Sequence, residues 1–330
     1  MGEQRGVYPP IVSEFVLLDL KSRRITSLAK FENYWGMTRI SPDGQWLAYL
    51  EGANQENVEK VKVVVLQTRA PDQHLEIGTC HGTCGGLAWS PDSQMLAWWD
   101  QQGIWLSSPE KPTEILLASR MMPADFSETA WSPDSRYLFT QSSPALRGGV
   151  EEDTYGIIDT QTGRFGKLGN ELFRAKKRNP AVWLDDGRLF ILRDGATEGN
   201  LAPRGEIWRI DPTSEGLLAL DQSFTIPVSP DTYPGWPVQL NDSRLAFVLW
   251  TRNESHVAES GLYTVSLNDL IPQHVSEPLP VGPIGFANWA PDGTVLMSVD
   301  LMHGSNETLL KFYIPTNDSW SPNLAELEGV

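Results

Sequence analysis

Cys80 and Cys84 are the only two cysteines of the chain, four positions apart in the run Cys80-His81-Gly82-Thr83-Cys84, which reads as a loop. Sulfurs at that spacing close a short disulfide in an oxidising compartment and stay ordinary thiols in a reducing one. Zinc needs four ligands in a tetrahedron, and even with His74 this crowded stretch does not supply them, so no metal is expected. His256, His274 and His303 show neither triad nor metal spacing. Asp194-Gly195-Ala196-Thr197-Glu198-Gly199-Asn200 offers oxygen ligands without the EF-hand order.

Signatures of hydrolysis and phosphate handling are missing too. No Gly-x-Ser-x-Gly elbow and no Gly-x-Gly-x-x-Gly occur, and Gly163-Arg164-Phe165-Gly166-Lys167-Leu168 lacks the spacing and hydroxyl of a phosphate loop. Neither a catalytic residue nor a cofactor is expected on these grounds. Glu151, Glu152 and Asp153 keep an alternative open, because paired carboxylates run glycoside chemistry at a suitable separation.

The 330 residues carry 26 Lys and Arg against 42 Asp and Glu, a net charge of −16. Nucleic-acid affinity comes from cations displacing phosphate counterions, so this balance argues against such a partner. At 40% apolar and 10% aromatic residues there is material for a large core. No stretch approaches the roughly 18 apolar residues of a membrane helix, so no transmembrane segment is expected. Met1 to Pro10 has no apolar signal core, and no secretory peptide is expected there.

The elements that must position any site follow from an internal repeat. Six versions of one phrase occur: Ile40-Ser41-Pro42-Asp43-Gly44, Trp89-Ser90-Pro91-Asp92-Ser93, Trp131-Ser132-Pro133-Asp134-Ser135, Trp183-Leu184-Asp185-Asp186-Gly187, Gln239-Leu240-Asn241-Asp242-Ser243 and Trp289-Ala290-Pro291-Asp292-Gly293. The aspartates recur at steps of 49, 42, 52, 56 and 50 residues, close to one propeller blade. Pro presets φ, Asp hydrogen-bonds nearby N–H groups, and Gly or Ser tolerates the turn exit, so the phrase is a hairpin turn. Asp43, Asp92, Asp134, Asp186, Asp242 and Asp292 are therefore assigned a structural role.

After each turn comes an apolar run such as Trp46 to Leu50, Met95 to Trp99 or Leu189 to Leu192, suited to strands buried on both faces. A third strand follows, as in Val61 to Leu66 and Glu206 to Ile210, and then a weaker fourth, as in Arg164 to Leu168. No long 3.6-residue period appears, so helices should be few. The expected fold is all-β: a six-bladed β-propeller of four-stranded antiparallel blades, with seven blades as the alternative. Residues 1–12 form an extension and 13–330 a single domain, in which an N-terminal strand completes the C-terminal blade and removes exposed edges.

The Trp-Ser-Pro-Asp-Ser/Gly turn, the apolar strand after it, and a third strand like Phe15-Val16-Leu17-Leu18-Asp19-Leu20 resemble the WD-repeat-like propellers of the TolB type. The same repeats build the non-catalytic propellers of some prolyl-oligopeptidase-like enzymes. The resemblance spans roughly residues 13 to 320. It implies an interaction scaffold with an extracytoplasmic, envelope-associated setting, and it assigns no ligand.

In a four-stranded meander the six Asp turns share one end with the connections from third to fourth strand. The opposite end carries Glu51 to Lys60, Gln141 to Asp153, Arg193 to Gly205 and Trp250 to Ser260, and connections on a rigid scaffold are where binding usually sits. Arg174, Lys176, Lys177 and Arg178 make a basic cluster there that suits a carboxylate or an acidic partner; its bland reading is a solvated loop offsetting nearby acids. Tyr34, Trp35, Phe126, Tyr233 and Trp236 precede first strands, as interface anchors or as plugs between blades. The expected function is binding of a protein or peptide at this end, with an enzyme or carbohydrate binder using funnel carboxylates as the alternative. A third reading is an accessory module of an envelope assembly.

Overall fold

The computed structural model describes residues 12–19, 24–32, 38–51, 60–82, 84–119, 122–123, 131–142, 154–168, 181–194, 202–228, 232–241, 243–253, 256–274, 284–289, 295–300, 308–314 and 319–320. Among them every regular element is a β-strand, arranged as one two-stranded sheet and six four-stranded sheets. Each four-stranded sheet is an antiparallel meander of consecutive strands, which short turns can join without crossovers. The chain divides into two compact units, Met1–Phe165 and Gly166–Val330.

In the first unit, β1 (Val12–Asp19) and β2 (Arg24–Glu32) pair only with each other. The first full sheet holds β3 (Thr38–Ile40), β4 (Trp46–Glu51), β5 (Lys60–Gln67) and β6 (Ala70–His81). The second holds β7 (Gly85–Trp89), β8 (Leu96–Trp99), β9 (Gly103–Ser107) and β10 (Ile115–Ser119). The third holds β11 (Met122–Pro123), β12 (Tyr137–Ser142), β13 (Thr154–Asp159) and β14 (Phe165–Lys167), with the division between units inside its last strand.

Strand periodicity explains the unbroken apolar runs. Leu47 and Tyr49 pack with Leu28 and Phe15 of the hairpin, whereas Ala48 and Leu50 pack with Leu87, Trp89, Leu96 and Trp98 of the second sheet. The second sheet repeats the device, turning Ala88, Ala97 and Ile104 toward Trp131, Leu138 and Ile158 of the third. Successive side chains point to opposite faces, so a sheet covered on both sides must be apolar at every position.

The second unit carries β15 (Ala181–Trp183), β16 (Leu189–Arg193), β17 (Arg204–Ile210) and β18 (Leu218–Thr225) as its first sheet. β19 (Thr232–Asn241), β20 (Arg244–Asn253), β21 (His256–Ser266) and β22 (Pro272–His274) form the next. Phe190, Leu192 and Ile207 of the one interdigitate with Leu245, Phe247 and Leu249 of the other. The last sheet is β23 (Ile284–Trp289), β24 (Val295–Asp300), β25 (Thr308–Ile314) and β26 (Ser319–Trp320).

Two local readings of the sequence change. Trp250 to Ser260 is a tall hairpin and not an open connection, with ladder pairs from Trp250↔Ser260 down to Asn253↔His256. Cys80 and His81 end strand β6, where they face Val61 and Lys60 across the ladder, and do not lie in a loop. β26 pairs with β25, and β1 pairs with β2.

Candidate functional site

The described Asp corners are closed hydrogen-bond units. Ser41, Ser90 and Ser132 donate their hydroxyls to Oδ1 of Asp43, Asp92 and Asp134 at 2.6, 2.6 and 2.5 Å. The same hydroxyls accept the backbone N–H of Trp46, Met95 and Tyr137 at 2.9, 2.9 and 2.8 Å. Each Asp Oδ1 also accepts the N–H two residues on, from Gln45, Gln94 and Arg136. The Ser41 hydroxyl is the main reason that the Asp43 carboxyl sits below its ordinary pKa.

The corners also clasp neighbouring sheets. The N–H of Asp43 donates to Ser93 Oγ at 3.0 Å, and that of Asp92 to Ser135 Oγ at 3.1 Å. Trp89 and Trp131 donate their indole N–H to the carbonyls of Arg39 and Ala88, at 3.1 and 3.0 Å. Ser93 and Ser135 hold φ of 62° and 60°, the left-handed region that Gly44 and Gly187 occupy at 70° and 83°. Serine there trades backbone ease for a hydroxyl that reaches the preceding sheet. This accounts for the alternation of Ser and Gly that the repeat shows.

Degenerate corners find substitutes. At Leu184-Asp185-Asp186-Gly187, Asp186 still accepts the N–H of Arg188 at 3.0 Å, and the Arg188 side chain adds Nε–H to Oδ2 at 2.8 Å in place of the missing serine. Asp185 N–H reaches Gln239 Oε1 of the next sheet at 2.8 Å. Asp242 and Asp292 lie outside the described residues; the strand before Asp242 runs on to pair Asn241 with Arg244.

At the opposite end of the meanders, strands lead into connections 52–59, 143–153 and 194–203. Two polar clusters lie at this end of their sheets. In the first, Cys80 and Cys84 are joined as a disulfide with Cα atoms 5.5 Å apart. Asp100, fully buried, accepts the N–H of His81 at 2.9 Å, Gln102 at 2.7 Å and Gly103 at 3.2 Å. His81 Nδ1 lies 3.4 Å from the same Asp100, and the imidazole stands beside Trp105 with ring centroids 6.1 Å apart.

The second cluster is ionic and was not singled out by its sequence. Arg193 Nε donates to Glu206 Oε2 at 2.6 Å, Arg204 Nε to Oε1 at 2.8 Å and Trp208 Nε1 to Oε2 at 3.0 Å. Burial alone would raise the Glu206 pKa, but the hydrogen bonds from Arg204 and Arg193 outweigh it and hold the carboxyl below its usual range. Arg193 also donates to the Leu168 carbonyl at 3.1 Å. The legible signal was a charged residue ending the apolar run Leu189-Phe190-Ile191-Leu192-Arg193.

Of the binding residues expected from sequence, Tyr34, Trp35, Phe126, Arg174, Lys176, Lys177 and Arg178 lie outside the described residues, as do Glu151, Glu152, Asp153 and His303. Tyr233 and Trp236 lie within strand β19, where Tyr233 is the ladder partner of Trp250. No group of three or more His, Cys, Asp or Glu positioned for a metal occurs among the described residues. No helix among them is long and apolar enough to cross a membrane.

No family model matches the sequence, and no curated protein is significantly similar to it. Solved structures do match. An oligogalacturonate lyase from Vibrio parahaemolyticus superposes with a TM-score of 0.58 at 11% identity, over 95% of this chain and 84% of that one. The β-propeller domain of the Trilobed protease from Pyrococcus furiosus, described as having an open velcro topology, gives 0.50 at 14% identity over 87% and 81%. TolB from Acinetobacter baumannii gives 0.47 at 15% identity over 94% and 79%. Identities this low speak to architecture alone. Together with consecutive four-stranded meanders and the repeated corner, these superpositions show that this chain has a β-propeller fold.

Proposed function

We propose that the chain is a non-enzymatic binding module that holds a protein or peptide partner on the end of the propeller opposite the Asp corners. The observation that carries this reading is the division of labour between the two ends. At the corners, side-chain acceptors and backbone donors are engaged with each other and with the adjacent sheet. The other end carries the long connections, and binding concentrates on connections that a rigid scaffold presents. Tyr34, Trp35, Phe126, Arg174, Lys176, Lys177, Arg178, Tyr233 and Trp236 belong to the proposal as contact residues.

Each four-stranded sheet is taken as one blade, giving six blades in a single propeller over residues 13–330, with the N-terminal hairpin as its closing element; a seventh blade would require β1 and β2 to recruit two more strands. An envelope-associated, extracytoplasmic setting is part of the same proposal, and the Cys80–Cys84 disulfide supports it, because disulfides persist in oxidising compartments.

Selection from a displayed peptide library, followed by binding of the selected peptides to variants in 143–153 and 195–203, tests the reading. Selected peptides whose affinity falls with those variants are the expected result. A failure to select any peptide, together with turnover of a polysaccharide that is lost on substituting Glu151, Glu152 or Asp153, would replace the module by a propeller enzyme.

A further inference from the structure

The first and second sheets are joined along their height without help from sulfur. An apolar core runs between them, from Ala48, Leu50, Val63 and Ile77 to Leu87, Trp89, Leu96 and Trp98. At the corner end the Asp43 N–H and the Trp89 indole each cross from one sheet to the other. The Cys80–Cys84 disulfide lies at the opposite end, between the close of β6 and the start of β7. It shuts a ring of only five residues, and so short a ring removes little of the freedom of an unfolded chain. Holding the fold is therefore a minor part of what this bond does.

Its two cysteines are unequal. Cys80 is fully buried in the apolar core, whereas Cys84 is only partly buried. Thiol–disulfide exchange goes through the sulfur that a thiolate can reach, and here that is Cys84. A reduced Cys80 already has its place, since a free cysteine packs as a small apolar side chain. The polar surroundings tolerate release as well. Asp100 accepts the His81 N–H, but it keeps the N–H groups of Gln102 and Gly103 when His81 leaves, so no buried carboxylate is stranded.

We propose that Cys80–Cys84 is a redox-sensitive latch on the end of β6. Closed, it fixes the half-exposed His81 against Asp100 and Trp105, and Gly82 against the Gln101 side chain. Opened by an external dithiol, it releases His81 and Gly82 while Cys80 stays in the core. Thr83 lies outside the described residues. In the opening step a thiolate of the dithiol attacks Cys84 Sγ, the S–S bond breaks, and the electron pair leaves on Cys80 Sγ, which takes up the proton that the attacking thiol gave up. The second thiol of the reductant then loses its proton, attacks the mixed disulfide and expels Cys84, which takes that proton. Two electrons and two protons pass to the cysteines, and the dithiol becomes a disulfide. The latch does not depend on the binding-module reading.

The test combines maleimide labelling of the native chain with hydrogen exchange read by mass spectrometry, before and after treatment with dithiothreitol. The untreated chain is expected to take no label. After reduction, Cys84 is expected to label about tenfold faster than Cys80. Amides of His81 and Gly82 are expected to exchange about tenfold faster than in the untreated chain, with the corners at Asp43 and Asp92 unchanged. Oxidised glutathione is expected to restore the original pattern. The double variant Cys80→Ala with Cys84→Ala is expected to exchange as the reduced chain does; the reduced unaltered protein carries the same test without any substitution. Label on the untreated chain would overturn the latch, as would a bond that dithiothreitol leaves intact under native conditions. Equal exchange at His81 in the two states would overturn it too. Faster exchange at the corners together with His81 would make the bond a staple of the whole fold and not a latch, and failure to re-form it would remove the reversibility on which the proposal stands.

Discussion

Ser93 shows what one residue contributes to this architecture. It holds a left-handed φ of 62°, costly for any residue with a Cβ, and its hydroxyl accepts the Asp43 N–H from the neighbouring sheet. Ser93→Ala keeps the backbone cost and removes the acceptor, so a loss of about 1 to 2 kcal/mol is expected. Ser93→Gly removes both, and its loss should be smaller by about 0.5 to 1 kcal/mol. A urea midpoint of Ser93→Ala equal to that of the unaltered protein would contradict the clasp, and one of Ser93→Gly below that of Ser93→Ala would contradict the backbone cost. The corner carboxylates add a pH signature. Asp43 has its folded pKa depressed, first by the Ser41 hydroxyl and also by the Gln45 N–H. A depressed carboxyl stabilises the fold above its unfolded pKa, and that stability fades as pH falls through the lower folded value. Urea midpoints are therefore expected to be flat near neutrality and to fall below about pH 4, with a shallower fall in Ser41→Ala. These corners were legible because one arrangement of Ser, Asp and backbone is repeated with fixed spacing. The Arg193–Glu206–Arg204 cluster was not, since its members come from two strands and only the fold brings them into register.

At the scale of the strand, close packing between sheets is the controlling quantity. A Cβ built on Gly78 of β6 would lie 2.3 Å from the ring of Trp98, which is fully buried in the core between the first and second sheets. Gly78→Ala is thus expected to destabilise by about 1 to 3 kcal/mol through overpacking. Trp98→Ala is expected to cost about 3 to 5 kcal/mol through the cavity it leaves. Chemical denaturation of both variants checks the two, and a neutral Gly78→Ala would mean that Trp98 does not occupy that place. Strands with unbroken apolar runs were legible because burial on both faces leaves no polar position. The hairpin from Trp250 to Ser260 was not, because Thr251, Arg252, Asn253, Glu254 and Ser255 have the composition of a connection while their neighbours extend the ladder. The length of β6 was not legible for a similar reason: six of its twelve residues are charged, histidine, glutamine or proline, and its outer position tolerates them.

At the scale of the whole molecule, the proposed function divides the meanders into two unlike ends, one closed by its own hydrogen bonds and one carrying the connections proposed to meet a partner. Period and turn chemistry made the propeller legible, since each repeat encodes the same four strands. The proposed partner was not legible, because the connections proposed to hold it differ in sequence from blade to blade. Hydrogen exchange read by mass spectrometry, with the chain free and bound to a selected peptide, tests this division most directly. Added protection is expected in 143–153, 169–180 and 193–204, with the corners around Asp43, Asp92, Asp134 and Asp186 unchanged. Protection at those corners, with the opposite end untouched, would contradict it.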